Sequence, residues 1–179
     1  HTRSSAASDV YKRQVSGWDL VATYPFEWSG GATTELSLTV NSSETEFQSD
    51  ASAYLNAEGR YDTVNFDPNT RWVLSAIHSF DAFTIVGRSS YWGEASNYQS
   101  GNTQEFGSLR MFDLEVSYDG DGYMLAFGGR NIFDEYPDKD KISDYCCGRD
   151  YPSGSGISWQ GGYYLSLIHI SEPTRPLTI

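Results

Sequence analysis

Seven stretches of this chain alternate apolar and polar side chains from one residue to the next, and no other feature limits its fold as strongly. Successive side chains of a β-strand point to opposite faces, so alternation means a strand with one greasy and one wet side. The runs are Gly17 to Phe26, Ala32 to Ser42, Thr70 to Ser79, Phe83 to Trp92, Ser108 to Tyr118, Tyr123 to Ile132 and Ile157 to Leu167. In the first, Trp18, Leu20, Ala22, Tyr24 and Phe26 oppose Asp19, Val21 and Thr23; in the second, Leu36, Leu38 and Val40 oppose Glu35, Ser37 and Thr39. The fifth sets Phe112, Leu114, Val116 and Tyr118 against Asp113, Glu115 and Ser117. The third is ambiguous, because Val73 and Ile77 oppose Trp72, Leu74 and Ala76. No helical period competes. The expected class is all-β: an open, curved, antiparallel up-and-down sheet of about seven strands.

Connections between the runs alternate short and long. Glu27 to Gly31, Phe80 to Ala82 and Asp119 to Gly122 read as tight turns, the last with an Asp-Gly-Asp-Gly sequence that tolerates positive φ. Between them lie Ser43 to Asn69, Gly93 to Gly107 and Phe133 to Gly156, so every long connection falls on one rim. The first long loop has six acids against Arg60, the second two acids, and the third six acids against Lys139, Lys141 and Arg149. Together they hold a net −10 of the chain's −12, while the seven runs sum to zero. That sign excludes nucleic acid as a partner, since phosphate binding needs clustered Lys and Arg. Otherwise it says only that charges occupy solvated loops.

About ten residues is the length a tilted strand needs to cross a bilayer. A mean hydropathy of −0.49 and the lack of any eighteen-residue apolar run exclude membrane helices, but alternating strands average to a hydrophilic chain. Aromatic residues are 15% of the chain and gather at run ends. Tyr24, Phe26, Trp28, Phe80, Phe83, Tyr118 and Tyr123 fall toward the short-turn rim, and Trp18, Trp72, Tyr91, Trp92 and Trp159 toward the other. Two aromatic girdles, short turns and long loops form the pattern of an outer-membrane barrel. Aromatics at strand ends also serve plain sheet packing.

The ends of the chain do not continue this pattern. His1 to Gln14 and Ser166 to Ile179 are expected to be non-native tails, and "SLIHISEPTRP" resembles translated sequencing-adapter read-through; the partial barrel then spans Val15 to Leu165. Cys146 and Cys147 are adjacent and cannot form a zinc site alone. A disulfide there would suit an oxidising compartment, and two plain thiols are the alternative.

Three segments carry a family resemblance: "GWDLVATYPFEW", the "GGRNIFDEYPDK" of Gly128 to Lys139, and "CCGRDYPSGSG" followed by "WQGGYYLSL". They resemble the C-terminal barrel of TonB-dependent outer-membrane receptors, and "NIFDEYP" at Asn131 to Pro137 resembles the place where the penultimate strand of these receptors leaves the membrane. The pattern departs after Leu167, where the family normally ends in an aromatic residue. The resemblance implies a segment of a 22-stranded transmembrane barrel in a Gram-negative outer membrane, importing a siderophore-bound iron, cobalamin or glycan nutrient. The partners it implies are the TonB complex, reached through a plug domain not seen in this chain, a small ligand such as a metal chelate, and outer-membrane lipid.

Under that resemblance Arg88, Asp113, Glu115 and Arg130 line the lumen, where water or plug groups solvate their charge. Arg88 and Arg130 are expected either to touch the plug or simply to be solvated. Tyr145, Cys146, Cys147, Arg149 and Tyr151 are the candidate substrate contacts, combining stacking surfaces, a cation and two thiols. No catalytic residue, metal site or cofactor is expected, and the chain is not read as an enzyme. It lacks a Gly-x-Ser-x-Gly elbow, a Walker loop and a His-Glu-x-x-His helix, and His78 stands alone. The Asp119 to Gly122 turn opens like a calcium loop but has Arg130 where the bidentate Glu belongs. Two alternatives stay open: a plug-less porin, and a soluble β-sandwich binding module.

Overall fold

The computed structural model describes residues 12–99 and 101–138. In chain order its elements are β1 (Arg13–Glu27), β2 (Thr33–Phe47), α1 (Ala57–Asn65), β3 (Thr70–Phe80), β4 (Phe83–Trp92), β5 (Ala95–Gln99), β6 (Asn102–Phe106), β7 (Leu109–Gly120) and β8 (Tyr123–Gly129). Six strands form one antiparallel sheet in the order β1-β2-β3-β4-β7-β8, and β5 and β6 form a separate hairpin. The sheet is open, with β1 and β8 at its edges. The fold is all-β with one short helix.

Each of the six expected runs within the described residues coincides with a main-sheet strand. The bounds differ by three residues or more at three places. β1 takes in Arg13 and Gln14, which the sequence reading had set aside with the tail, because they pair with Phe47 and Glu46 at the extended end of β2. β2 thereby absorbs the start of the first long loop, and β8 stops at Gly129, short of Ile132. The run Ile157 to Leu167 lies outside the described residues.

Register joins the separate alternations into two continuous faces. One row runs Ala22, Leu38, Leu74, Ser89, Phe112, and the next runs Tyr24, Leu36, Ala76, Gly87, Leu114, Gly129. The ambiguity in the third run disappears: Trp72, Leu74 and Ala76 share the apolar face, while Val73 and Ile77 lie among Thr39, Glu35, Ser90 and Val86. Among the described residues no strand or helix packs over the apolar face; only the segment after β8 folds back on it, with Phe133 edge-on to Phe112 at 5.4 Å. Leu20, Leu36, Leu74, Leu114 and Leu125 remain exposed, and Phe127 is 75% accessible. Among the described residues the buried apolar side chains are Ala51, Phe106, Leu109 and Met111.

Turn chemistry fixes the short rim. Gly31 and Gly122 adopt φ of 85° and 80°, where a Cβ would be strained, and Asp81 turns β3 into β4 at φ 48°. The first long connection holds α1, which sequence periodicity did not reveal because it buries no residue. Its determinant is local: the Asn56 side chain accepts the Gly59 N–H at 2.7 Å, with Glu58 in the first turn. The second long connection contains the β5–β6 hairpin, with Gly101 at φ 83° in its turn.

Candidate functional site

On the polar face the four charged residues singled out by sequence converge. Arg88 and Asp113 are register partners across β4 and β7, and Val86 pairs with Glu115. Glu115 in turn pairs with Gly128. Together with Arg130 these residues line a shallow depression of about 540 Å³. Its floor is low because Gly128 lets β8 close on β7: a Cβ there would meet the Leu114 carbonyl oxygen at 2.8 Å. Two guanidinium groups and two carboxylates around an open hollow can hold a ligand or protein surface of mixed charge by charge-assisted hydrogen bonds. They offer no activated nucleophile.

One of the four also has a structural task. An Asp113 carboxylate oxygen accepts the Asn131 backbone N–H at 2.9 Å. Asn131 is 2% exposed and left-handed at φ 48°. Its side chain donates to the Glu135 carbonyl at 2.9 Å and accepts the Glu135 N–H at 3.1 Å. "NIFDEYP" is therefore a closed turn in which one amide satisfies both backbone groups of a residue four positions on. Within it, Asp134 hydrogen-bonds Tyr136 and pushes that phenol above its ordinary value.

Above the long-loop rim, α1 docks on the β5–β6 hairpin. Asp62 accepts the Tyr98 N–H at 2.8 Å, the Tyr61 and Ser96 hydroxyls lie 3.0 Å apart, and the Tyr61 and Tyr98 rings are 5.8 Å apart. Burial raises the Asp62 carboxyl above its usual value, the Tyr98 N–H opposes that, and nearby Glu58 adds to the rise. Asp50, by contrast, is lowered by hydrogen bonds from the Ser52 N–H and hydroxyl. Asn65, Asp67, Glu94 and Glu105 border an acidic hollow of about 480 Å³ between the two long connections. Among the described residues no group of three or more His, Cys, Asp or Glu is arranged to hold a metal ion.

The aromatic residues form two rows on the apolar face. At the short-turn rim, Phe26 and Trp28 pack edge-on at 4.5 Å, and Phe80, Phe83, Tyr118 and Tyr123 follow at centroid spacings of 5.5, 4.9 and 5.9 Å. Thr34 joins them, accepting the Trp28 indole N–H and bonding His78 Nδ1, each at 2.8 Å. At the opposite rim Trp72 and Tyr91 stack at 5.3 Å, with the Arg110 guanidinium 5.2 Å from one ring and 5.8 Å from the other. Trp92, expected in that row from the sequence, does not belong there. It follows Tyr91, so it must point to the other face, where it packs on Leu109 and Met111.

The proposed substrate contacts Tyr145, Cys146, Cys147, Arg149 and Tyr151 lie outside the described residues. Sequence reasoning missed the structural roles of Asn131 and Asp62 and the position of Arg110. No protein-family model, curated protein or solved structure matches this chain. The class established is thus an open, antiparallel all-β sheet with one apolar and one polar face.

Proposed function

We propose that this sheet is part of the wall of an outer-membrane β-barrel, and that the barrel is a TonB-dependent transporter for a scarce nutrient of the siderophore-iron, cobalamin or glycan class. The observation that carries the reading is the apolar face, covered by no strand or helix among the described residues, continuous in register over six strands and bordered by aromatic rows. Trp18 and Phe26, Trp72 and Phe80, and Phe83 and Tyr91 each stand eight positions apart, roughly 27 Å along a strand. That distance, shortened by tilt, suits the apolar band of a membrane barrel. A β-sandwich would cover such a face with a second sheet. Among the described residues no helix is long and apolar enough to cross a membrane, which leaves strands as the spanning elements of this reading. The nutrient class and the TonB partnership rest on the segment resemblance alone.

Two experiments test the two levels. With Cys146 and Cys147 replaced by Ser, single cysteines at 36, 38, 74 and 114 should resist a water-soluble maleimide in phosphatidylcholine vesicles, while those at 37, 39, 75 and 115 react. Equal labelling of both sets removes the membrane assignment. Disruption of the gene should then abolish uptake of one nutrient from a panel of ferric siderophores, cobalamin and oligosaccharides, only in cells with a working TonB complex. Uptake that is unchanged, or TonB-independent, removes the transporter assignment and favours a plug-less porin.

A further inference from the structure

Among the described residues, the apolar face carries one full charge from one aromatic row to the other, Arg110, held over the Trp72 and Tyr91 rings in the row at the long-loop rim. One same-face step inward, Phe112 pairs with Ser89, whose hydroxyl is buried with no hydrogen-bond partner among the described residues; the residue is 8% exposed. Ser89 lines an apolar groove of about 450 Å³ whose floor is Ala76 and Gly87 and whose walls include Leu74, Phe112 and Phe133. A Cβ at Gly87 would meet nothing within 4 Å, so the groove is open space on the outer surface of the sheet. Along the strands the order is cation, hydroxyl, apolar trough, and each same-face step is roughly 7 Å.

Resting on the membrane reading above, we infer that this strip seats one phosphorylated lipid with hydroxylated acyl chains, of the lipid A type, from the outer leaflet. Arg110 takes a phosphate, and its stacking on two rings holds the guanidinium at headgroup depth. An acyl chain fills the trough over Gly87. The hydroxyl on that chain gives Ser89 the partner it lacks, reaching it by parting the Leu74 and Phe112 side chains that flank Ser89 across the sheet. A simple glycerophospholipid offers the phosphate but no hydroxylated chain. A buried hydroxyl with no partner is otherwise destabilising, and burial in hydrocarbon leaves no water to satisfy it.

The test uses the full 179-residue chain refolded into phosphatidylcholine vesicles, alone or doped with diphosphoryl lipid A or with phosphatidylglycerol. Co-flotation is scored first; the lipid retained per chain after mild detergent extraction is then counted by mass spectrometry. Lipid A should be retained over phosphatidylglycerol, and Arg110→Gln, Ser89→Ala and Gly87→Leu should each lower its retention about fivefold. Ser89→Ala separates this role from a structural one, since removing an unsatisfied hydroxyl should not weaken the sheet itself. Gly87→Leu fills open space, so it decides the matter if Arg110→Gln fails to insert. Equal retention of the two lipids, or retention unchanged in Gly87→Leu and Ser89→Ala, overturns the seat while flotation still upholds the membrane reading. A chain that floats with no vesicle overturns both.

Discussion

Asp113 on β7 accepts the backbone N–H of Asn131 at 2.9 Å, so a carboxylate on the charged polar face also anchors the turn that ends β8. Asn131 passes that anchorage on through its two bonds to Glu135, and Ile132 adds a backbone bond to Phe112 at 2.8 Å. Charge on the polar face and the path of the chain leaving the sheet are therefore coupled.

Asn131→Ala should destabilise this turn by about 2–4 kcal/mol, from two lost hydrogen bonds and the strain of φ 48° without an amide side chain to support it. Asn131→Gly should cost less, because glycine accepts the left-handed backbone. Hydrogen exchange at the Ile132 and Glu135 amides in vesicles reads the effect. Protection that is equal in wild type and Asn131→Ala would mean the turn is held by something else.

Gly128 and Gly87 should respond in opposite ways to alanine. At Gly128 the new methyl meets the Leu114 carbonyl at 2.8 Å and the Glu115 Cα at 3.0 Å, backbone that can move only by separating β7 from β8. At Gly87 it meets open space, and the lost freedom of the unfolded chain favours the fold by about 0.5–1 kcal/mol. Urea unfolding in micelles should order the variants Gly87→Ala, wild type, Gly128→Ala from most to least stable. A Gly128→Ala chain as stable as wild type would refute the close approach.

Strand positions were legible because each alternation is a local signal: Leu36, Leu38 and Val40 declare their face without reference to any other strand. Val73 to Ile77 could not be read alone, since both faces of β3 hold apolar residues, and only pairing with Leu36, Leu38 and Val40 settles it. Trp92 was within reach of parity, given that Tyr91 was already on the apolar face. Arg88, Asp113, Glu115 and Arg130 share a hollow because the register of β4, β7 and β8 sets them side by side, which alternation within one strand could not show. The α1–β5 contact through Asp62 was hidden, because it joins two connections that no period describes.

The Asp62 contact predicts a pH dependence. Burial raises the carboxyl, so the docked form binds its proton more tightly than the undocked one. The contribution to docking is therefore fully present below the ordinary aspartate value and is lost as pH rises through the raised one. Asp62→Asn keeps an oxygen to accept the Tyr98 N–H and removes the titration. Protection of the Tyr98 amide relative to Asp62→Asn should fall across that window. A ratio independent of pH would show that the carboxyl does not titrate with docking.

The two faces make a sharper demand on charge. Leu38 and Leu74 are register partners between the aromatic rows, one same-face step inward of Trp72, whereas Ser37 and Ser75, one residue away on each strand, face the other side. Arginine tolerates water and resists hydrocarbon, so the same substitution reports which medium each face meets. If the apolar face lies against lipid, Leu38→Arg and Leu74→Arg should each destabilise the inserted sheet by about 1–3 kcal/mol, while Ser37→Arg and Ser75→Arg stay within about 1 kcal/mol of wild type. The guanidinium at Arg110 is no exception, because it sits at the rim on two aromatic rings where it can reach headgroups. Chemical unfolding from phosphatidylcholine vesicles measures all four. Equal costs at 38 and 37 would mean that the alternation, however regular, does not separate oil from water.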